Sequence, residues 1–290
     1  MPHPYAVLLG DKMGNLALHM GRIDSRGGLG MKYVVKLGGA GLENPALLDG
    51  CTRAIADLVR DGNQVAVVHG GGVQLTRTLK ALGKQSQFVD GLRVTDAETR
   101  DVALMVFAGK VNKGLVAALG AIGQPAVGLS GGDGLTFRAR KKRTDPDLGF
   151  VGEIASSDAR AIEAIWQIDC VPVFCSMALG FDGEYYNVNA DEMAAACAVA
   201  CRADALVFLT DVPGVKGVTG EVLRWLSIDQ IAEMAKNAVI SGGMLPKLSA
   251  CREALLNGVK RVRILPAEAA GSLPDLCSSR VAFGTEVMVA

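Results

Sequence analysis

From Lys32 onward, short apolar runs rich in β-branched residues alternate with longer segments whose apolar positions recur at helical spacing. The pattern predicts strands at 32–37, 65–69, 125–129, 171–174, 205–209 and 261–265. It predicts helices near 45–60, 73–82, 96–120, 158–168, 190–202, 227–237 and 246–257. Such alternation builds βαβ units, hence an α/β fold with a mainly parallel sheet covered on both faces. Several helix starts carry their own signal. Thr95-Asp96-Ala97-Glu98 and Ser227-Ile228-Asp229-Gln230 read as capping boxes, and Asn189 with Glu192 is a near-equivalent. Between 131 and 155 the pattern gives way to glycine, charge and short β-like pieces around Arg138-Ala139-Arg140-Lys141-Lys142-Arg143. A hairpin with a solvated basic edge fits this stretch, since edge lysines and arginines discourage further pairing; a surface for a phosphorylated partner is the alternative.

The ends of the strands hold the candidate chemistry. Tyr33-Val34-Val35-Lys36-Leu37-Gly38-Gly39 and Val65-Ala66-Val67-Val68-His69-Gly70-Gly71-Gly72 each run from strand to glycines to helix. Such a turn exposes backbone N–H groups to a bulky anion, though a tight turn with close helix packing uses the same residues. Asp90-Gly91-Leu92-Arg93-Val94-Thr95 offers one arginine, whose planar fork suits a carboxylate or an ordinary ion pair. Tyr186-Asn187-Val188-Asn189-Ala190-Asp191-Glu192 ends a strand and opens a helix, with Asn189 as N-cap and the acids suited to the positive helix end. Leu209-Thr210-Asp211-Val212-Pro213-Gly214-Val215 ends another strand in a polar loop, the usual ligand edge of an open α/β sheet. In Ser241-Gly242-Gly243-Met244-Leu245-Pro246-Lys247, Pro246 fits the first helical position and puts Lys247 in the first turn. A cation there opposes the helix dipole at a cost of a few tenths to about 1 kcal/mol, which a docked anion would relieve.

Composition narrows the partners. Lys+Arg and Asp+Glu are both 30 in a chain of 290 residues, giving a formal net charge of zero. That balance argues against nucleic acid and anionic membrane surfaces. No uninterrupted apolar run approaches the ~20 residues of a membrane span. The seven cysteines form no CxxC pair and only three histidines are present. Buried reduced thiols in a cytoplasmic protein are therefore expected, with no metal site. Residues 1–30, which are rich in glycine and lack a signal-peptide pattern, are read as an extension of unassigned structure.

Taken in order, VVKLGG, VVHGGG, DGLRVTD, YNVNADE, LTDVPGV and SGGMLPK resemble the motifs of the amino acid kinase family, within it the members that phosphorylate N-acetylglutamate. Gly109-Lys110-Val111-Asn112-Lys113 and Gly128 to Gly134 extend the similarity, which spans about residues 31–265. The resemblance implies a three-layer αβα sandwich in which residues 31–202 bind the acyl-amino acid and residues 203–290 bind ATP. It implies transfer of the ATP γ-phosphoryl group to the γ-carboxylate of N-acetyl-L-glutamate, a step of arginine biosynthesis. Lys36 and Lys247 would stabilise the migrating phosphoryl group and Asp191 would orient them. Gly38 and Gly39 would line the phosphate path, Gly71 and Gly72 the substrate and the transferring group. Arg93 and Asn187 would hold N-acetylglutamate. The nucleotide would lie on Asp211, Val212, Gly214, Val215 and Lys216 and on Val239, Ile240 and Ser241. Mg²⁺ would be held mainly by the ATP phosphates. Small-molecule substrates and a homo-oligomer of two or more chains complete the expectation.

That chemistry suits the composition, because a carboxylate acceptor is already ionised at neutral pH and needs no general base. His69 is accordingly read as structural. The chain departs from the family pattern in two places. Val73 stands where many relatives have proline, and Pro266-Ala267-Glu268-Ala269-Ala270 replaces an aspartate–glycine turn and a following histidine, so inhibition by arginine is not implied. Two rival readings remain: a kinase of carrier-linked aminoadipate or glutamate, and a non-catalytic nucleotide sensor. A Rossmann dinucleotide site is disfavoured, since neither glycine cluster fits G-x-G-x-x-G.

Overall fold

A computed structural model describes residues 30–237, 239–240, 242–277 and 283–289. The expectations placed on residues 1–29 and on Ser241 lie outside these residues. The main sheet has eight strands: β1 (Lys32–Leu37), β2 (Gln64–His69), β3 (Ala126–Ser130), β4 (Val171–Cys175), β5 (Ala205–Thr210), β6 (Trp225–Ser227), β7 (Arg261–Pro266) and β8 (Thr285–Met288). Their order is β6-β8-β7-β5-β1-β2-β4-β3. The six strands from β7 to β3 are parallel, whereas β8 runs antiparallel to β7 and carries β6 with it. All six expected strands are present. The first of them, β1, lies centrally, with β2 on one side and β5 on the other. This is the switch point beyond whose carboxyl end open α/β sheets bind ligands.

Seven helices matter here: α1 (Pro45–Arg60), α2 (Gly72–Ala81), α3 (Ala97–Ala121), α4 (Arg160–Gln167), α5 (Ala190–Ala200), α6 (Ile228–Lys236) and α7 (Met244–Leu256). Side chains alternate along β1, so the strand feeds two cores. Tyr33, Val35 and Leu37 join Ile55 and Leu58 of α1 and Leu115 and Leu119 of α3 on one face. Val34 joins Met193 and Cys197 of α5 and Leu248 and Cys251 of α7 on the other. These make three layers, αβα, and fully burying each large apolar side chain contributes about 1.5–3 kcal/mol. By length and hydropathy α3 could span a bilayer. Its Val102, Phe107, Val111, Leu115 and Leu119 are instead packed inside the fold.

Three local expectations need correction. The α3 cap is Asp96, not Thr95: the Asp96 carboxylate accepts from Thr99 N, while the Thr95 hydroxyl turns to the Arg93 carbonyl and Glu98 pairs with Lys84. Helix α7 starts at Met244 after Gly243, which puts Pro246 at its third position. Proline fits there because the first four N–H groups of a helix have no intrahelical acceptor. The 131–155 stretch does form an antiparallel pair, Phe137–Lys141 with Val151–Ser157, but these strands close a small barrel with Met177–Gly180 and Tyr185–Val188. Its basic run is largely engaged, Arg140 with Glu153, Lys141 with Asp147, and Lys142 with Glu153 and Glu192. The Ser227 capping box and the Asn189 N-cap form as expected.

Candidate active site

Lys36 is the next inward position after Val34 on β1, so it points to the face covered by α5 and α7. Asn189 caps α5 by accepting from the N–H groups of Asp191 and Glu192, which fixes Asp191 in the first helical turn. A carboxylate is favoured there by the helix dipole. Lys247 approaches from the first turn of α7. The three side chains meet: Lys36 Nζ lies 2.7 Å from Asp191 Oδ1, and Lys247 Nζ lies 3.1 and 3.0 Å from the two Asp191 oxygens. The Lys247 ammonium also sits 5.0 Å from the Phe208 ring centre. Asp191 is 7% exposed and Lys247 6%. Burial works to raise the Asp191 carboxyl, but Lys36 and Lys247 outweigh it and hold the group below its ordinary value. Burial and the neighbouring Lys36 push the Lys247 ammonium below its ordinary value, with Asp191 opposing. Two cations on one carboxylate leave net positive charge where an anion can use it.

A cleft of about 420 Å³ opens beside Lys36, bordered by Gly38, Gly39, Gly71, Gly72 and Arg93. Close approach explains two of the glycines. A Cβ at Gly38 would lie 2.8 Å from the Leu209 carbonyl, to which Gly38 N–H donates at 2.8 Å. A Cβ at Gly71 would meet the Phe107 ring at 2.7 Å. Phe107 comes from the π-helical segment Met105–Val111 inside α3, a geometry often found at functional sites.

Arg93 is only 7% exposed, and its held side chain was not fully legible in the sequence. Its guanidinium donates to the Gly72 carbonyl at 3.0 Å, to Thr76 Oγ1 at 2.8 Å and to Ser86 Oγ. It also stacks on Phe88, 4.6 Å from the ring centre. Among the described residues no carboxylate forms an ion pair with it, and burial pushes it below its ordinary value. Thr76, Ser86 and Phe88 escaped sequence reasoning. Only Thr76, one turn beyond Gly72 on α2, carried a positional signal. Asn187 is not on this cleft; it lies on the barrel strand and reaches Arg93 through Thr95. Asn187 Nδ2 is 3.3 Å from Thr95 Oγ1, which donates to the Arg93 carbonyl at 2.8 Å.

The expected nucleotide residues are spread over the carboxyl edge of the sheet. Asp211 and Lys216 are exposed and Val212 half-buried. Val215 is fully buried in the core; its N–H donates to Thr285 Oγ1 and its carbonyl accepts from Leu223 N. It therefore holds the loop. Gly214 and Ile240 are likewise buried, and Val239 is half-buried.

A parallel αβα sheet with two lysines and two glycine turns at its switch point defines a phosphotransferase-like class, and comparison bears this out. The amino acid kinase family model matches residues 31–266, and this chain belongs to that family. It is 77% identical over 258 residues to the acetylglutamate kinase of Acidobacterium capsulatum, covering 89% of this chain and 99% of that one. To the acetylglutamate kinase of Koribacter versatilis it is 57% identical over the same shares. Among solved structures, N-acetylglutamate synthase from Neisseria gonorrhoeae, complexed with coenzyme A and N-acetyl-glutamate, superposes with a TM-score of 0.78. That match has 27% identity and covers 90% of this chain and 60% of the other.

Proposed function

We propose that the protein transfers the γ-phosphoryl group of ATP to the γ-carboxylate of N-acetyl-L-glutamate, yielding ADP and N-acetyl-γ-glutamyl phosphate for arginine biosynthesis in the cytoplasm. The observation that carries it is Arg93, a buried cation without an acid partner among the described residues, beside a glycine-lined cleft that also borders Lys36. A free carboxylate of the acceptor supplies the missing anion, to the N–H groups of Arg93 that Gly72, Thr76 and Ser86 leave open. The choice of N-acetylglutamate draws on the relatives named acetylglutamate kinase.

An oxygen of the acceptor γ-carboxylate attacks the γ-phosphorus, and the bond to the β,γ-bridging oxygen breaks. The acceptor is already ionised, so no proton has to be removed. Positioning and charge neutralisation remain as the protein's tasks. Lys36 and Lys247, pre-set by Asp191, neutralise charge on the migrating group, and the glycine turns offer N–H donors to its oxygens. Mg²⁺ entering with the nucleotide would neutralise further phosphate charge. The chain fits it as an ion held by ATP, since both oxygens of Asp191 are engaged by lysines. The acyl-amino acid would bind within residues 31–202 and the nucleotide on residues 203–290, along Asp211, Val212 and Lys216.

Incubation with ATP, Mg²⁺, N-acetylglutamate and hydroxylamine should give a coloured hydroxamate from the trapped acyl phosphate. Turnover only of carrier-linked glutamate or aminoadipate would replace this reading with the sister kinase. Nucleotide binding without any turnover would leave a sensor.

A further inference from the structure

His69 and Asn112 are motif residues to which the reaction above gives no role, and the structure joins them. Asn112 is fully buried where α3 leaves its π-helical segment. Its Nδ2 lies 2.9 Å from the Val173 carbonyl and 3.0 Å from His69 Nε2. A carbonyl only accepts, so the Asn112 atom facing Val173 is the amide nitrogen. Nε2, opposite that same NH₂ group, is therefore an acceptor, and the ring proton sits on Nδ1. Nδ1 lies 2.7 Å from the Gly70 carbonyl, to which it donates. His69 is itself fully buried; burial pushes its imidazole down to about 4, against the Gly70 hydrogen bond. A second proton, on Nε2, would face a donor.

Holding the Gly70 carbonyl has a consequence one atom further on. The peptide is planar and trans, so the Gly70 C=O and the Gly71 N–H point in opposite directions. With the carbonyl drawn to the buried ring, the N–H faces the other way, and Gly71 borders the cleft. No acceptor among the described residues takes that N–H. The opposite peptide orientation would turn a carbonyl oxygen toward the place where phosphoryl oxygens must come.

We propose that His69, its tautomer fixed by Asn112, is a positioning residue that keeps the Gly70–Gly71 peptide with its carbonyl inward and presents the Gly71 N–H to the transferring phosphoryl group. The inference rests on the proposed phosphotransfer and extends it to two residues remote from the substrate.

Asparagine and glutamine separate the two ring nitrogens, because Asn places its amide nitrogen near the position of Nδ1 and Gln near that of Nε2. His69→Asn keeps the donor to Gly70, whereas His69→Gln keeps a partner for Asn112 and fills more of the ring's volume. We expect kcat of His69→Asn within about tenfold of the unaltered enzyme and that of His69→Gln lower by about 10²-fold, the scale of a small misplacement. KM for both substrates should stay within about threefold in each variant, since the N–H acts on the migrating group. The order of kcat should oppose the order of melting temperature; kcat that simply follows melting temperature overturns the proposal. A second measurement needs no variant. In a long-range ¹H–¹⁵N spectrum of the unaltered protein, which has only three histidines, His69 should appear as the Nδ1–H tautomer. An Nε2–H tautomer overturns the proposal. A protein that forms no hydroxamate at all refutes the reaction instead, whereas an active enzyme with equal kcat in the two variants refutes the role of His69.

Discussion

The lysine pair and Arg93 are held in opposite ways. Lys36 and Lys247 share Asp191 before any ligand arrives, so their positions are set by an acid that belongs to the protein. Arg93 is held by the Gly72 carbonyl, two hydroxyls and the Phe88 ring, all of them neutral. A cation fixed by an internal acid loses part of its field but needs no reorganisation when charge migrates past it. A cation fixed by neutral groups keeps its whole charge for a ligand that stays put. The first arrangement suits the transition state and the second suits ground-state binding, which makes the two regions separable by kinetics.

Removing the shared acid should break the first region most severely. In Asp191→Asn the buried Lys247 and half-buried Lys36 ammonium groups lose their counter-charge, and unfolding free energy should fall by about 3–5 kcal/mol. The pH dependence has a defined sign. Because the Asp191 carboxyl is held below its ordinary value, its contribution is present above the unfolded-state value near 4 and lost as pH falls through the lower folded value. Urea titrations at pH 7 and on the acid side should show the variant weaker at neutrality and missing that acid loss. Equal stability at pH 7 would mean that the lysines do not depend on Asp191.

Lys36→Ala should lower kcat by ~10²–10³-fold, the effect of deleting one preorganised transition-state donor. Steady-state kinetics with N-acetylglutamate test this. Weaker binding at unchanged kcat would move Lys36 out of the chemistry and into the scaffold.

Arg93→Lys probes the second region and should act on binding. Lysine keeps the charge but loses the bidentate fork and the stack on Phe88. KM for N-acetylglutamate should rise about tenfold, equivalent to about 1.4 kcal/mol, while kcat and KM for ATP change little. An equal rise in both KM values would show that Arg93 shapes the cleft as a whole.

The same contrast separates what the sequence disclosed from what it concealed. All six expected strands of the sheet were legible because each is a dense apolar run, and Lys36 stood out by ending one. The barrel strand Met177–Gly180 was not, and of Tyr185–Val188 only the end that leads into the Asn189 cap was, since the pairing of both to 137–157 joins segments distant in sequence. The edge strand β6 and its neighbour β8 are short and carry no run of their own. At the site, charged residues in motifs were found, but the groups that hold them were mostly hidden. Thr76, Ser86 and Phe88 have ordinary local context and acquire meaning only when the hairpin 88–93 folds against α2. Val215 shows the converse. Its motif lies in a ligand-edge loop, while its side chain closes the core beneath it.

The smallest expected change in stability belongs to Lys247→Gln, although Lys247 lies in the same buried cluster. Lysine at the start of α7 opposes the helix dipole and has lost most of its hydration. Burial and Lys36 hold its ammonium below the ordinary value, with Asp191 opposing. At neutral pH the group is charged in the unfolded chain, and a lowered folded value means that folding disfavours that charge. The penalty shrinks only as pH rises through the folded value toward the unfolded one near 10.4. Glutamine removes the penalty together with one charged bond to Asp191, while Lys36 keeps the carboxylate paired. These changes have opposite sign, so unfolding free energy without ligand should stay within about 1 kcal/mol of the unaltered protein. Activity should not be spared, because an amide cannot neutralise developing phosphoryl charge, and the extra melting temperature given by ADP with aluminium fluoride should shrink. Asp191→Asn and Lys247→Gln thus break the same bond from its two ends and should differ sharply in stability. If Lys247→Gln instead costs about as much as Asp191→Asn, with kcat intact, the lysine is a structural counter-ion and Lys36 alone serves the phosphoryl group.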